Sequence, residues 1–206
     1  MAAHREAAGT GLATNRYFDR SFGVEAVKLL PGQFFVTQAD MVLVTVLGSC
    51  VAACLRDPLT GIGGMNHFML PDAGGDADNP LSTSARYGVY AMELLINELT
   101  KAGAMRSRLE AKLFGGGNVL QGLDHAAVGG RNAAFALSFL KVEQIALRAQ
   151  DLLDDFPRKI YFFPRNGKVL VKRLRTLAND TVLKRERDYE SQIGTTGGSG
   201  EVELFS

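Results

Sequence analysis

The chain has 206 residues with 46% hydrophobic positions, enough apolar content for one well-buried domain and thin for two. Its 23 Lys and Arg against 22 Asp and Glu leave a formal charge of +1, too even a balance to draw in nucleic acid or an anionic membrane surface. A structural disulfide between the two cysteines, Cys50 and Cys54, is unnecessary at this size and not expected in a reducing compartment, so both are read as thiols.

Residues 1–21 mix small and charged residues without periodicity or an apolar h-region, so a flexible arm and a cytoplasmic location are expected. A Pro31-Gly32 turn then leads into a short strand at Phe34–Val36. The densest apolar run, residues 41–47, is rich in β-branched residues and far short of the roughly 20 residues that span a bilayer. It is expected to be a strand, followed by a kink at Gly48-Ser49-Cys50 and a second strand at Val51–Leu55. Asp57-Pro58-Leu-Thr-Gly61 has turn composition, so the chain should reverse there into a strand over 62–70 that pairs with 50–55.

Pro71 ends that strand, and Ser82 or Ser84 can cap a helix running to about Lys101, with an apolar stripe that includes Tyr87, Met92 and Leu95. A strand at Ala111–Phe114 runs into Gly115-Gly-Gly117. A second helix is expected from about Arg131 to Val142 beyond a Gly129-Gly130 break. Strands follow near Ile145–Arg148 and Lys159–Phe163, and an Asn166-Gly167 turn signal returns the chain through Lys168–Leu174. A third helix is expected at Asp180–Gln192. The organisation anticipated is an arm over 1–21, one domain over 22–178, and a C-terminal helix and tail over 179–206.

Chemistry concentrates at Cys50. A thiol nucleophile needs a base, and the three histidines are His4 in the arm, His125, and His67 on the strand expected beside Cys50. That favours His67. Gly48 lets the backbone bend, so the amides of Ser49, Cys50 and Val51 are expected to leave the ladder and face a developing oxyanion. His67 shares a strand face with Met65 and Met69, which should exclude water and keep the imidazole neutral. Cys54 is read as core packing. The Gly115–Gly117 run lacks the spacing of a phosphate loop, and no CxxC or HxxxH pair supports a structural metal.

Two segments carry a resemblance: Val46-Leu-Gly-Ser-Cys-Val-Ala-Ala-Cys-Leu-Arg-Asp-Pro58 and Gly61-Ile-Gly-Gly-Met-Asn-His-Phe-Met-Leu-Pro71. Together they resemble the motif of the CheD family, the chemoreceptor glutamine deamidases of bacterial chemotaxis. Ala85-Arg-Tyr-Gly88, Ala111-Lys-Leu-Phe-Gly-Gly116 and Gly130-Arg-Asn132 are similar to the same family, and the likeness spans most of residues 25–175. The resemblance implies a catalytic cysteine and histidine, carried onto Cys50 and His67, and a threonine just upstream. Thr45 is the one threonine of the preceding strand, while the family's threonine can also align one position earlier, with Val44. Gly48, Ser49, Phe114, Gly115 and Gly116 are the residues expected to line the substrate pocket.

The resemblance further implies an α+β fold, a layered sandwich of mainly antiparallel sheets with about three helices packed outside. It implies deamidation of receptor glutamines through a thioester, without metal or organic cofactor. Chemoreceptors are the implied partners, with the phosphatase CheC as a regulator bound over the site, and neither nucleic acid nor membrane insertion is expected. A catalytically silent adaptor for receptors or CheC is the alternative, and other Cys-His acyl-transfer enzymes share the dyad. Near Asp151–Pro157 the chain departs from the family, whose members often carry a glycine pair there.

Overall fold

The computed structural model describes residues 11–71, 83–119 and 126–174, with Lys184, Asp188, Tyr189 and Ser191. In chain order the strands are β1 (Gly11–Leu12), β2 (Asn15–Asp19), β3 (Val24–Lys28), β4 (Gln33–Thr37), β5 (Met41–Leu47), β6 (Val51–Arg56) and β7 (Gly63–Asn66). Helix α1 (Thr83–Lys101) follows, then β8 (Glu110–Gly115), α2 (Ala126–Val142), β9 (Ala146–Leu152), β10 (Arg158–Phe163) and β11 (Lys168–Arg173). The strands form a six-stranded sheet, β1-β4-β7-β6-β8-β9, and a five-stranded sheet, β11-β10-β5-β3-β2. Pairing is mixed but mostly antiparallel, with parallel contacts at β1–β4, β3–β5 and β8–β9. The fold is an α+β layered sandwich, with two α-helices among the described residues.

Alternation along β6 sets the layers. Val51, Ala53 and Leu55 face the helices, packing with Phe68 and Leu70 against Met92, Leu95, Ile96 and Leu99 of α1 and Ala136, Phe139 and Leu140 of α2. Cys50, Ala52 and Cys54 face the other way, joining Met65, Met69 and Phe114 against Leu43 and Leu47 of β5 and Ile160 and Phe162 of β10. Strand β5 is apolar except at Thr45 because both of its faces are covered. Val42 and Val44 pack outward beneath Tyr17, Phe22, Tyr161 and Phe163, while Leu43 and Leu47 point between the sheets. The connection at Gly48-Ser49 carries the chain from one sheet to the other.

Several expectations are corrected in detail. Residues 11–19, anticipated within a flexible arm, supply β1 and β2, which pair with β4 and β3. The strand expected over 62–70 is regular only for Gly63–Asn66, with one further bridge between Val51 and Phe68. It breaks because the Asn66 side chain, rather than a backbone carbonyl, takes the Ala53 N–H at 3.0 Å, while Asn66 Nδ2 donates to Ala91 O of α1. Helix α2 begins at Ala126, so Gly129 and Gly130 lie inside it. Gly129 serves close approach: a Cβ there would stand 2.5 Å from Gly116 O. The helix expected at Asp180–Gln192 lies mostly outside the described residues.

At Asp151–Pro157 the backbone keeps the form a glycine pair would favour, since Leu153 and Asp154 have φ of 67° and 73°. Arg158, fully buried, holds this loop by donating to the carbonyls of Asp151 at 2.7 Å, Leu153 at 2.6 Å and Gly115 at 2.8 Å. That network also anchors the end of β8, beside Cys50.

Candidate active site

The Val51–Phe68 bridge keeps the register of the β6–β7 ladder, in which Cys54 pairs with Met65. His67 therefore stands opposite Ala52, and Cys50 opposite Met69. Cys50 and His67 are diagonal neighbours on the face turned toward the five-stranded sheet, a relation that puts Cα atoms about 7–8 Å apart with the side chains on one surface. The backbone of His67 is fixed from its other side by β4, with its N–H donating to Gln33 O and its carbonyl accepting from Gly32 N–H.

Thr45 reaches this pair from the opposing sheet. Its Oγ1 lies 2.9 Å from Leu29 O and 2.8 Å from His67 Nδ1. A carbonyl can only accept, so the single hydroxyl proton goes to Leu29, and Oγ1 must accept from an Nδ1–H. This assigns the tautomer: Nδ1 carries the proton, and Nε2 presents a bare lone pair. Nε2 is buried and has no hydrogen-bond partner among the described residues. Of the two alignments, Thr45 is the one beside His67, because Val44 points to the outer face of the sheet.

All three side chains are withdrawn from solvent: Cys50 and Thr45 have no exposure and His67 has 2%. Burial lowers the imidazole to about 3, so it is neutral around physiological pH. Cys54, on the same face four residues on, has its thiol pushed far up by burial and sits in the core. His125 lies outside the described residues.

The residues expected to line a pocket gather at the corner around Cys50, mostly through their backbones. Gly116 N–H donates to Cys50 O at 2.8 Å and Gly117 N–H to Gly48 O at 2.7 Å, while β8 pairs Phe114 with Ala52 and Gly115 with Val51. Gly115 has φ of 109°, and a Cβ there would lie 2.1 Å from Cys50 O. Gly115→Ala is therefore expected to cost about 3 kcal/mol or more, read from denaturant melts, because backbone strain and a clash with backbone act together. The Val51 amide, expected among the oxyanion donors, instead donates to Phe68 O at 2.9 Å.

Two features escaped the sequence reading. Asn132 of α2 hydrogen-bonds Ser49 O and Leu70 N–H; its one signal was the Gly130-Arg-Asn132 likeness. Tyr189, 7% exposed, packs in the same cluster as Cys50 and hydrogen-bonds the Tyr87 hydroxyl. Burial first, then Tyr87 and Cys50, raise its phenol. In sequence Tyr87 belongs to an apolar helix stripe and to the Ala85-Arg-Tyr-Gly88 likeness, neither of which points to a hydroxyl partner.

A family model described as CheD chemotactic sensory transduction matches residues 69–173, just over half of the chain. A protein of Janthinobacterium sp. (strain Marseille), "Probable chemoreceptor glutamine deamidase CheD", is 63% identical over 194 residues, covering 94% of this chain and 96% of that one. This chain belongs to the CheD family. A protein of Thiobacillus denitrificans with the same description is 61% identical over the same coverage of both chains, and one of Herminiimonas arsenicoxydans is 60% identical. The family model begins just past His67, but the 194-residue alignments with CheD relatives take in 94% of the chain. No helix among the described residues is long and apolar enough to cross a membrane.

Proposed function

We propose that this chain deamidates glutamine side chains of chemoreceptors to glutamate, with Cys50 as nucleophile, His67 as proton carrier and Thr45 as the group that orients His67. The relatives' descriptions support the substrate class. The observation that carries the chemistry is the buried lone pair of His67 Nε2, with its tautomer set by Thr45, on the sheet face that bears Cys50.

The thiol proton passes to Nε2 as Sγ adds to the glutamine carboxamide carbon, giving a tetrahedral oxyanion. In the dry site the imidazole is neutral at rest, so thiolate and imidazolium form together, each offsetting the burial cost of the other. Collapse breaks the C–N bond, the nitrogen leaves as ammonia with the proton from Nε2, and a thioester remains. Water then gives a proton to Nε2 and adds to the thioester carbon. Expulsion of Sγ, reprotonated by His67, releases glutamate. The net change is one water consumed and one ammonia produced, with no redox step.

The test is incubation of the purified protein with the cytoplasmic fragment of a chemoreceptor, followed by mass spectrometry and an ammonia assay. Discrete glutamines should convert to glutamate in step with ammonia release. Peptide cleavage, crosslinking or unchanged receptor would each overturn the assignment. Thr45→Val, which keeps the shape but removes the acceptor for Nδ1–H, is expected to lower kcat about tenfold to a hundredfold, less than loss of a charged orienting group costs. Steady-state ammonia release at saturating receptor checks this.

A further inference from the structure

Cys50 and Thr45 have no solvent exposure, and His67 Nε2 is buried without a hydrogen-bond partner among the described residues. A glutamine side chain carried on a receptor has to bring its carboxamide carbon to Sγ. A state that admits substrate therefore differs from this one at some element packed around Cys50. The strands there are fixed: Val51 exchanges backbone hydrogen bonds with Phe68, Cys50 O accepts from Gly116 N–H, and β6 pairs with β8 along its whole length. Opening through the sheet would break those ladder bonds.

Tyr189 is held differently. It is the one described residue beyond β11 in the cluster that contains Cys50, Ala52, Met69 and Phe114, and it belongs to neither sheet and to neither α1 nor α2. Its ring is nonetheless buried. Its hydroxyl is hydrogen-bonded to that of Tyr87, which packs against the same cluster from the first turns of α1. Ser84 Oγ, three residues earlier, donates to Pro71 O at 3.0 Å, so the start of α1 is tied to the chain four residues past His67. Burial first, then Tyr87 and Cys50, raise the Tyr189 phenol, which places ring and thiol within electrostatic reach of each other.

We propose that Tyr189 is the gate of the active site: its ring, latched to Tyr87, seals the buried Cys50 and His67, and it withdraws when a receptor glutamine enters. This deepens the deamidase reading and rests on Cys50 as nucleophile. A sealed resting state weakens apparent substrate affinity by the fraction of molecules that are open, and it slows attack of the thiol on any small electrophile by the same fraction. Removing the gate relieves both together. Loss of a residue that only packs the core, or of one that grips the substrate, does not.

Tyr189→Ala in the full chain separates these cases. Two readouts are compared with wild type: alkylation of Cys50 by iodoacetamide, followed by peptide mass spectrometry with Cys54 as the internal gauge, and kcat and KM for ammonia release from the receptor fragment. We expect Cys50 alkylation to speed up about tenfold or more with Cys54 within about twofold, and KM to fall by a similar factor while kcat stays within about threefold. The proposal is overturned if Cys50 alkylation is unchanged, or if Cys54 speeds up along with it, which marks Tyr189 as core packing. It is equally overturned if KM fails to fall, which marks the ring as a wall of the substrate pocket. Tyr189→Phe keeps the ring and removes only the bond to Tyr87; it carries the same comparison, at about two- to fivefold, if the alanine variant does not fold. Cys50→Ala runs in parallel: ammonia release retained there removes the nucleophile assignment and the gate with it, whereas an inactive Cys50→Ala with unchanged Cys50 alkylation in Tyr189→Ala removes only the gate.

Discussion

Cys50→Ala is expected to abolish ammonia release from receptor glutamines, a loss of at least about 10⁴-fold in kcat, because without the sulfur no thioester forms and water alone must attack an amide. The substitution is sterically mild. Cys50 is fully buried in the cluster that holds Ala52, Met69 and Phe114, and exchanging a thiol for hydrogen there leaves the backbone bond from Gly116 N–H untouched. The folded state should survive, with a small cavity as the main cost. Cys54→Ala is the matched control, since its thiol is on the same face but is held protonated by burial and stands beyond the corner. A Cys50→Ala protein that binds receptor fragment and still releases ammonia at the wild-type rate would falsify the nucleophile assignment. Acid-quenched mass spectrometry of wild type during turnover should find the receptor thioester on the Cys50 peptide and not on the Cys54 peptide.

The parts of this site that were legible in the sequence are those set by local rules. Parity along 65–69 put His67 on the face of Met65 and Met69, and the Asp57–Gly61 turn dictated that this strand return beside Cys50; the register agrees. The apolar run of β5 and the kink at Gly48-Ser49 were equally local. What the sequence concealed depends on contacts between distant segments. Nothing local says that β5 and β6, separated by three residues, belong to different sheets, yet that is why Thr45 faces His67 across a sheet interface instead of along a strand. Gly129-Gly130 read as a helix break because glycine is a poor helix former, but close packing against Gly116 overrides that preference. Asn132 stands out in sequence only through the Gly130-Arg-Asn132 likeness, because its bonds to Ser49 O and Leu70 N–H join segments more than 60 residues away.

Substituting His67 is expected to cause the next largest loss after removal of the thiol. In His67→Gln the side chain can still donate to Thr45 Oγ1, but it has no lone pair basic enough to take the Cys50 proton and no proton to give to ammonia. A fall in kcat of about 10²–10⁴-fold follows, the range for loss of a general acid–base group. The same residue predicts how stability depends on pH. Burial depresses the folded-state imidazole to about 3, whereas in the unfolded chain it titrates at an ordinary histidine value of about 6.5. Between those values the unfolded state binds a proton that the folded state refuses, so the contribution of His67 is complete above about pH 6.5 and is lost progressively as pH falls toward 3. Thermal melts of wild type should therefore drop on acidification through that window, and those of His67→Gln should drop less steeply. The acid limb of kcat/KM should likewise lie below the ordinary imidazole range. A limb centred near pH 6.5, with melts of wild type and His67→Gln falling in parallel, would mean that the imidazole is hydrated and charged at rest, and the dry, preset lone pair on Nε2 would no longer account for the activation of Cys50.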